Sequence, residues 1–292
     1  MIHSMFVSDK SRNTGRDIAG NIGRNVAGAA SASDRQAVDD LTRLLERFEF
    51  RPLSTRSLLL SLLLGTHPPE LSAERLVAFG ERFGIRPGTV RTTLSRMVAN
   101  GDLTTSDADY RLSERLTGRQ REQDLGQRAD DDARDRWDGT WWTAIVVGSE
   151  RSMTDRRHFR AAMVGARMGE LRPDIWMRPA NLPAPDDASI VVTRGDLVTG
   201  DAVDLCDRLW DVDRLERAAA ELSDGLDTLD ELLAADHRHL PLAFDVSAVC
   251  VRFLRAEPRL PAALVAMPAC RRLRSTYGPF NRRFLHVLDA SS

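Results

Sequence analysis

Lysine is almost absent from this chain: of 41 basic residues only Lys10 is a lysine, and the remaining 40 are arginines. A bias that uniform reflects coding composition, so arginine carries meaning only where it clusters. Cysteine is scarce too. Cys206, Cys250 and Cys270 are odd in number and far apart, which excludes a disulfide framework and a zinc motif and leaves three thiols read as buried. No long hydrophobic run is present either. The longest apolar patch, Leu58 to Leu64, is interrupted by Ser61 and is far too short to span a bilayer. The N-terminal MIHSMFVSDKSR lacks an apolar h-region and a small-residue cleavage site, which points to the cytoplasm. Charge of one sign is missing overall, since 41 basic residues face 43 acidic ones, so no global field advertises nucleic acid. There is no glycine-rich phosphate loop and no nucleophile elbow, and the chain is read as a non-enzyme without cofactor.

Against these absences, residues Phe83 to Leu103, FGIRPGTVRTTLSRMVANGDL, stand out. Ser72 predicts the N-cap of a helix that buries Leu76, Phe79 and Phe83 at three- and four-residue spacing and stops at Gly84. Pro87 suits the first turn of a second helix, whose inward stripe is Val90, Leu94 and Met97. Asn100-Gly101 ends that helix. Leu103 to Thr105 and Tyr110 to Leu112 then read as two short strands around Ser-Asp-Ala-Asp, a small wing. Helix, turn, helix and hairpin in this order are the pattern of a winged helix-turn-helix with double-stranded DNA as partner. Arg82 to Gly101 contains four arginines and no carboxylate, the local footprint that phosphate contact requires. Arg86, Thr89, Arg91, Thr92, Thr93, Ser95 and Arg96 are the candidate DNA-binding residues.

The rest of the chain divides by composition. Residues 1–37, rich in Gly, Asn, Ser and Arg, read as a disordered tail, with Ile18, Ile22 and Val26 at four-residue spacing leaving a weak basic helix open. Residues 38–120 form the winged domain, led by an amphipathic helix from Asp40 to Phe50. Residues 121–136 are an acidic linker; Glu122 to Asp138 holds seven carboxylates against three arginines. Residues 137–202 open on the apolar strand Trp141 to Val147. A helix from Thr154 to Met168 and strands at Ile175 to Met177 and Ser189 to Thr193 follow, which suggests a ferredoxin-like α+β unit. Residues 203–292 are helical. Twelve carboxylates in 201–236 are followed by eight arginines and only Glu257 in Val251 to Arg283.

Four segments resemble the PaaX-like regulators, the family of the phenylacetic acid degradation repressor. They are VRTTLSRM (Val90 to Met97), WDGTWWTAIVVG (Trp137 to Gly148), LRPDIWMRPANL (Leu171 to Leu182) and LWDVDRL (Leu209 to Leu215). The resemblance implies a homodimeric repressor of a catabolic operon, released by an aryl- or acyl-CoA thioester such as phenylacetyl-CoA. It also implies three domains: winged helix, ferredoxin-like middle and C-terminal helical dimerisation domain. An aromatic cavity beside arginines is what such an effector needs, and Trp142, Trp176, Arg178, Trp210, Arg271 and Arg274 are the candidates, with core packing as the competing reading for the tryptophans. The wing tip departs from a phosphate-binding pattern, since it carries Asp107 and Asp109 and no base.

Two alternatives come from other functional classes. A metal-dependent nuclease on the middle domain needs a carboxylate at the end of its first strand, where Glu150 and Asp155 stand among arginines that suit surface pairing. A protein-interaction adaptor in which the winged helix binds protein is the other. His237 and His239 have no third ligand close in sequence, so no metal and no catalytic residue is expected.

Overall fold

The computed structural model describes residues 31–106, 109–114, 116–117, 137–147 and 152–290. It is a mixed helix-and-sheet molecule with two antiparallel sheets. Its residues fall into two compact units. One takes residues 137–223 and 252–275; the other takes 31–117, 224–251 and 276–290.

In the second unit the chain starts with α1 (Ala32–Arg47), earlier than the Asp40 start read from periodicity. The reason is a capping box: Ser31 accepts from the Asp34 amide at 3.0 Å, and Asp34 accepts from the Ser31 amide at 3.2 Å. Helix α2 (Thr55–Gly65) buries six leucines, with Leu59 and Leu63 wholly enclosed. Helices α3 (Ala73–Arg82) and α4 (Pro87–Ala99) pack on it. A small sheet of order β1-β3-β2 completes the group, from β1 (Glu70–Ser72), β2 (Leu103–Ser106) and β3 (Asp109–Leu112). Strand β1 has no alternating pattern of its own; pairing with β3 defines it, Leu71 opposite Tyr110. The wing tip at Asp107 lies outside the described residues, as does the 121–136 linker.

The first unit carries the larger sheet, order β5-β6-β4-β7, built from β4 (Trp141–Val146), β5 (Gly169–Arg172), β6 (Ile175–Pro179) and β7 (Ile190–Gly195). Strand β4 runs antiparallel to both β6 and β7, and β6 antiparallel to β5. Between β4 and β5 stands α5 (Met153–Gly165). Pairing puts Trp142, Ala144, Trp176, Arg178, Val192 and Arg194 on one face of the sheet. There Ala144, Trp176, Met163 and Met168 form a buried cluster, flanked by Phe159 and Trp142. The opposite face meets α6 (Ala202–Trp210) at Gly169, where an added Cβ would stand 2.7 Å from Leu209 Cβ.

Three longer helices, α7 (Val212–Ala235), α8 (Leu240–Ala256) and α9 (Pro268–Ala290), contribute residues to both units. In the second unit Gly225 of α7 is the point at which α1 approaches, because a Cβ there would stand 2.7 Å from Leu44 Cδ2. Phe79 and Phe83 of the helix pair each lie against Phe244 of α8, with centroids 5.6 and 5.3 Å apart. Phe244 in turn meets Phe284 of α9.

Candidate nucleic-acid interface

The geometry of the α3–α4 corner follows from single residues. Ser72 accepts from the Arg75 amide at 3.2 Å and starts α3. At the other end Gly84, with φ of 71°, takes the left-handed turn, and Ile85 N donates to Gly80 O at 2.9 Å. Ile85 is buried and anchors the corner. Pro87 occupies the first turn of α4, and the N-cap residue Arg86 makes no side-chain cap. Gly80 is where α3 and α4 come closest: a Cβ on it would lie 2.5 Å from Val90 Cγ2. Val90, Leu94 and Met97 are completely buried, so the rotation of α4 about its axis is determined.

With that rotation, Thr89, Thr92, Ser95 and Arg96 face outward and are exposed, Arg91 is exposed on the flank, and Arg86 is exposed at the N-terminal end. Thr93 differs, being half-buried. The hydroxyls of Thr92, Thr93 and Ser95 donate to the carbonyls of Gly88, Thr89 and Arg91 at 2.8, 2.8 and 3.1 Å. Their rotamers are therefore held. On the flanking hairpin Arg111 lies opposite Glu70 and donates to it from Nε and Nη2, so its charge is directed within the sheet. After α4, Asp102 is 1% exposed and receives Arg56 of α2 at 2.9 and 2.6 Å, which ties the C-terminal end of α4 to α2.

The candidate effector residues separate into three places within the first unit. Trp142 stands directly opposite Arg178 across the central strand pair, and Trp176 lies on the same face. Trp176 packs edge-on against Phe159, under Arg160. Trp142, half-buried, donates to Leu182 O and carries Arg194 over its ring. Trp210 is on the opposite face, by Gly169. Arg274 bonds Glu257 at 2.6 Å, and Arg271 is half-buried near the start of α9. Arg178 is buried; desolvation, with Arg167 nearby, pulls its pKa down to about 9, against the pull of Glu257. Glu257, Arg167, Arg259 and Asn181 were not singled out from the chain. The one signal available was that Glu257 is the lone carboxylate among eight arginines.

Asp155 serves as a helix-cap partner, its amide donating to Ser152 and its carboxylate receiving the Ser152 hydroxyl, while Glu150 lies outside the described residues. His237 is exposed and His239 buried. Among the described residues no three His, Cys, Asp or Glu side chains gather as metal ligands, and no helix is long and apolar enough to cross a membrane.

The segment from α2 to just past β3, residues 54–116, matches the family model described as PaaX-like protein. The chain belongs to the PaaX-like family. That places it among transcription regulators at the level of the family, and the match falls on the segment that holds the α3–α4 corner. Among solved structures, a PaaX-like chain such as this one resembles an uncharacterized protein, Rv0674, from Mycobacterium tuberculosis. The two are 36% identical over 82% of this chain and 99% of the other, with a TM-score of 0.62. Among curated proteins nothing matches.

Proposed function

We propose that this PaaX-like chain is a winged helix-turn-helix repressor that reads operator DNA with α4. The observation that carries the reading is the outward face of α4: Thr89, Thr92, Ser95 and Arg96 exposed, Arg86 and Arg91 beside them, and no carboxylate on the helix. A helix of this kind offers short polar side chains and a guanidinium to base edges in the major groove. Its N-terminal end carries partial positive charge with no acidic residue in the first turn, which suits a phosphate. The β2–β3 hairpin takes the place of the wing. Its one arginine in the described strands, Arg111, is paired with Glu70, so α4 supplies the main contacts.

The larger sheet supports a ferredoxin-like middle domain. Strands β4 and β5 run in the same direction with β6 between them, joined through α5, which is a split βαβ unit. The second crossover, residues 180–189, is a loop rather than a helix. We further propose that the protein acts in the cytoplasm as a homodimer on two half-sites about one helical turn apart. An aryl- or acyl-CoA thioester releases it, as the family membership suggests. Arg178, Trp142 and Trp176, which share one face of the sheet, are the residues of the effector set that lie together.

The test is binding of the full-length protein to DNA from its own upstream region, followed by fluorescence anisotropy at several salt concentrations. Arg96→Ala removes a contact worth roughly 1–3 kcal/mol, and Arg91→Ala lowers the salt slope by about one phosphate. Folded variants that bind with unchanged affinity and slope would take α4 out of the groove. A panel of acyl- and aryl-CoA esters added to the complex tests release. A true effector also binds less tightly when operator is present, because the coupling is reciprocal.

A further inference from the structure

Arg178 stands where strand alternation places a core side chain. It shares its sheet face with Trp176 and faces Trp142, yet it is a guanidinium only 2% exposed. Among the described residues it donates to neutral acceptors: Pro179 O at 3.1 Å, Ala166 O at 3.0 Å and Asn181 Oδ1 at 3.0 Å. Asn181 is itself oriented, its amide donating to Arg259 O at 2.9 Å.

Two neighbours of this group hold uncommon backbone conformations. Arg167, just past the C-terminus of α5, has φ of 60°, and Arg259 has φ of 54°. Left-handed positions of this kind are normally taken by glycine or asparagine, and long side chains kept there mark sites where the surroundings impose the conformation. Both arginines direct their guanidiniums toward the carboxylate of Glu257. Arg167 Nη1 is 3.8 Å and Arg259 Nε 3.7 Å from it, and Arg274 Nη1 is 2.6 Å away. Arg167 also donates to the backbone carbonyls of Leu254 and Glu257 at the end of α8. Three guanidiniums thus gather in the interior of one unit around a carboxylate that is fully buried, and Arg178 lies near enough for Arg167 and Glu257 to act on its charge.

We propose that this cluster binds one compact oxyanion, a phosphate or carboxylate group, held between Arg178 and Arg167, with Asn181 positioning Arg178. Guanidinium forks match both anions in bidentate fashion, and a buried cation is stabilised most by an anion that enters the same low-dielectric space. Arg167 and Asn181, unlike Arg178, keep part of their surface exposed. The site shares Arg178 with the proposed effector set, but it does not rest on the DNA-binding reading or on release by a thioester, because the test reads binding of the anion alone.

The experiment uses the full chain. Inorganic phosphate, sulfate and acetate are titrated at ionic strength held constant with sodium chloride, while melting temperature is recorded, and labelled phosphate is followed by equilibrium dialysis. Saturable binding of one anion per chain is expected, with a melting temperature raised by several degrees at saturation, because a ligand of the folded state stabilises by mass action. A larger response to acetate than to phosphate assigns a carboxylate ligand, and the reverse assigns a phosphate. Asn181→Ala should weaken binding about tenfold through loss of one charge-assisted hydrogen bond, and Arg178→Gln should abolish it. If Arg178→Gln does not fold, Asn181→Ala decides the matter. No saturable binding to the wild-type chain, a rise that only grows linearly with salt, or equal binding by the folded variants would each overturn the proposal.

Discussion

Substituting Gly80 by alanine tests whether the approach of α3 to α4 sets the orientation of the reading helix. Two effects of opposite sign meet at this position. Within a helix, Gly→Ala is favourable by about 1 kcal/mol from backbone entropy alone. Here the new Cβ would lie 2.5 Å from Val90 Cγ2, on a β-branched side chain that is completely buried and stiff about χ1. Overpacking of a core of this kind costs about 1–3 kcal/mol, so the single variant should be destabilised by about 0–2 kcal/mol. Val90→Ala alone loses two methyl groups and leaves a void, costing about 2 kcal/mol. In the Val90→Ala background the obstructing atom is gone, and Gly80→Ala should then stabilise by close to the full propensity gain of about 1 kcal/mol. The sign of the same substitution reverses between backgrounds. Urea denaturation of the four proteins, followed by far-UV circular dichroism, gives the coupling directly, with an expected magnitude of about 1–3 kcal/mol. If Gly80→Ala stabilises the wild type by the same amount as it does the Val90→Ala protein, the two helices do not touch there and α4 is oriented by something else.

Further outcomes follow from buried charge. Asp245 is buried on α8, and burial pushes its pKa up to about 7 from an ordinary 3.8. The folded state therefore holds a proton that the unfolded chain gives up. This contribution is fully present below about pH 4, falls as pH rises toward 7, and is flat above that. Asp245→Asn should remove this part of the pH dependence and raise melting temperature relative to wild type at pH 8, while a wild-type stability that is level between pH 5 and 7 would count against the assignment. Glu257→Gln should cost about 3–5 kcal/mol, because the guanidiniums of Arg167, Arg259 and Arg274 then lose their buried carboxylate; a loss below 1 kcal/mol in denaturant titration would contradict the geometry. Asp102→Asn should cost about 1–3 kcal/mol by weakening the bonds from Arg56, and recovery by Arg56→Met in the same chain would show that the pair is the source.

The parts of this protein that were legible in the chain are those whose signals are local. A serine accepting an amide three residues on, a glycine in a left-handed turn and a proline in a first turn are settled by a few neighbouring atoms. Ser72, Gly84 and Pro87 therefore mark α3 and α4 in the sequence itself, and the Val90, Leu94 and Met97 stripe determines which side of α4 faces water. The α+β class follows from the same kind of signal, periodicity within short windows, and the PaaX-like resemblance rests on four short motifs in order along the chain. Other features have no local cause. Glu70–Ser72 is a strand because β3 lies beside it, and Gly169–Arg172 is separated from the preceding helix by an arginine held left-handed, where a glycine would have announced the break. Arg178 reads as a candidate effector contact in the sequence, and only its register places it on a covered sheet face. Arg167 and Glu257 are 90 residues apart in sequence, and nothing in either segment names the other. Gly80 and Gly225 are ordinary helix glycines until Val90 and Leu44 arrive at the positions a Cβ would fill. Tertiary structure alone decides these, because burial and pairing are properties of two segments at once, whereas caps and periodicity belong to one.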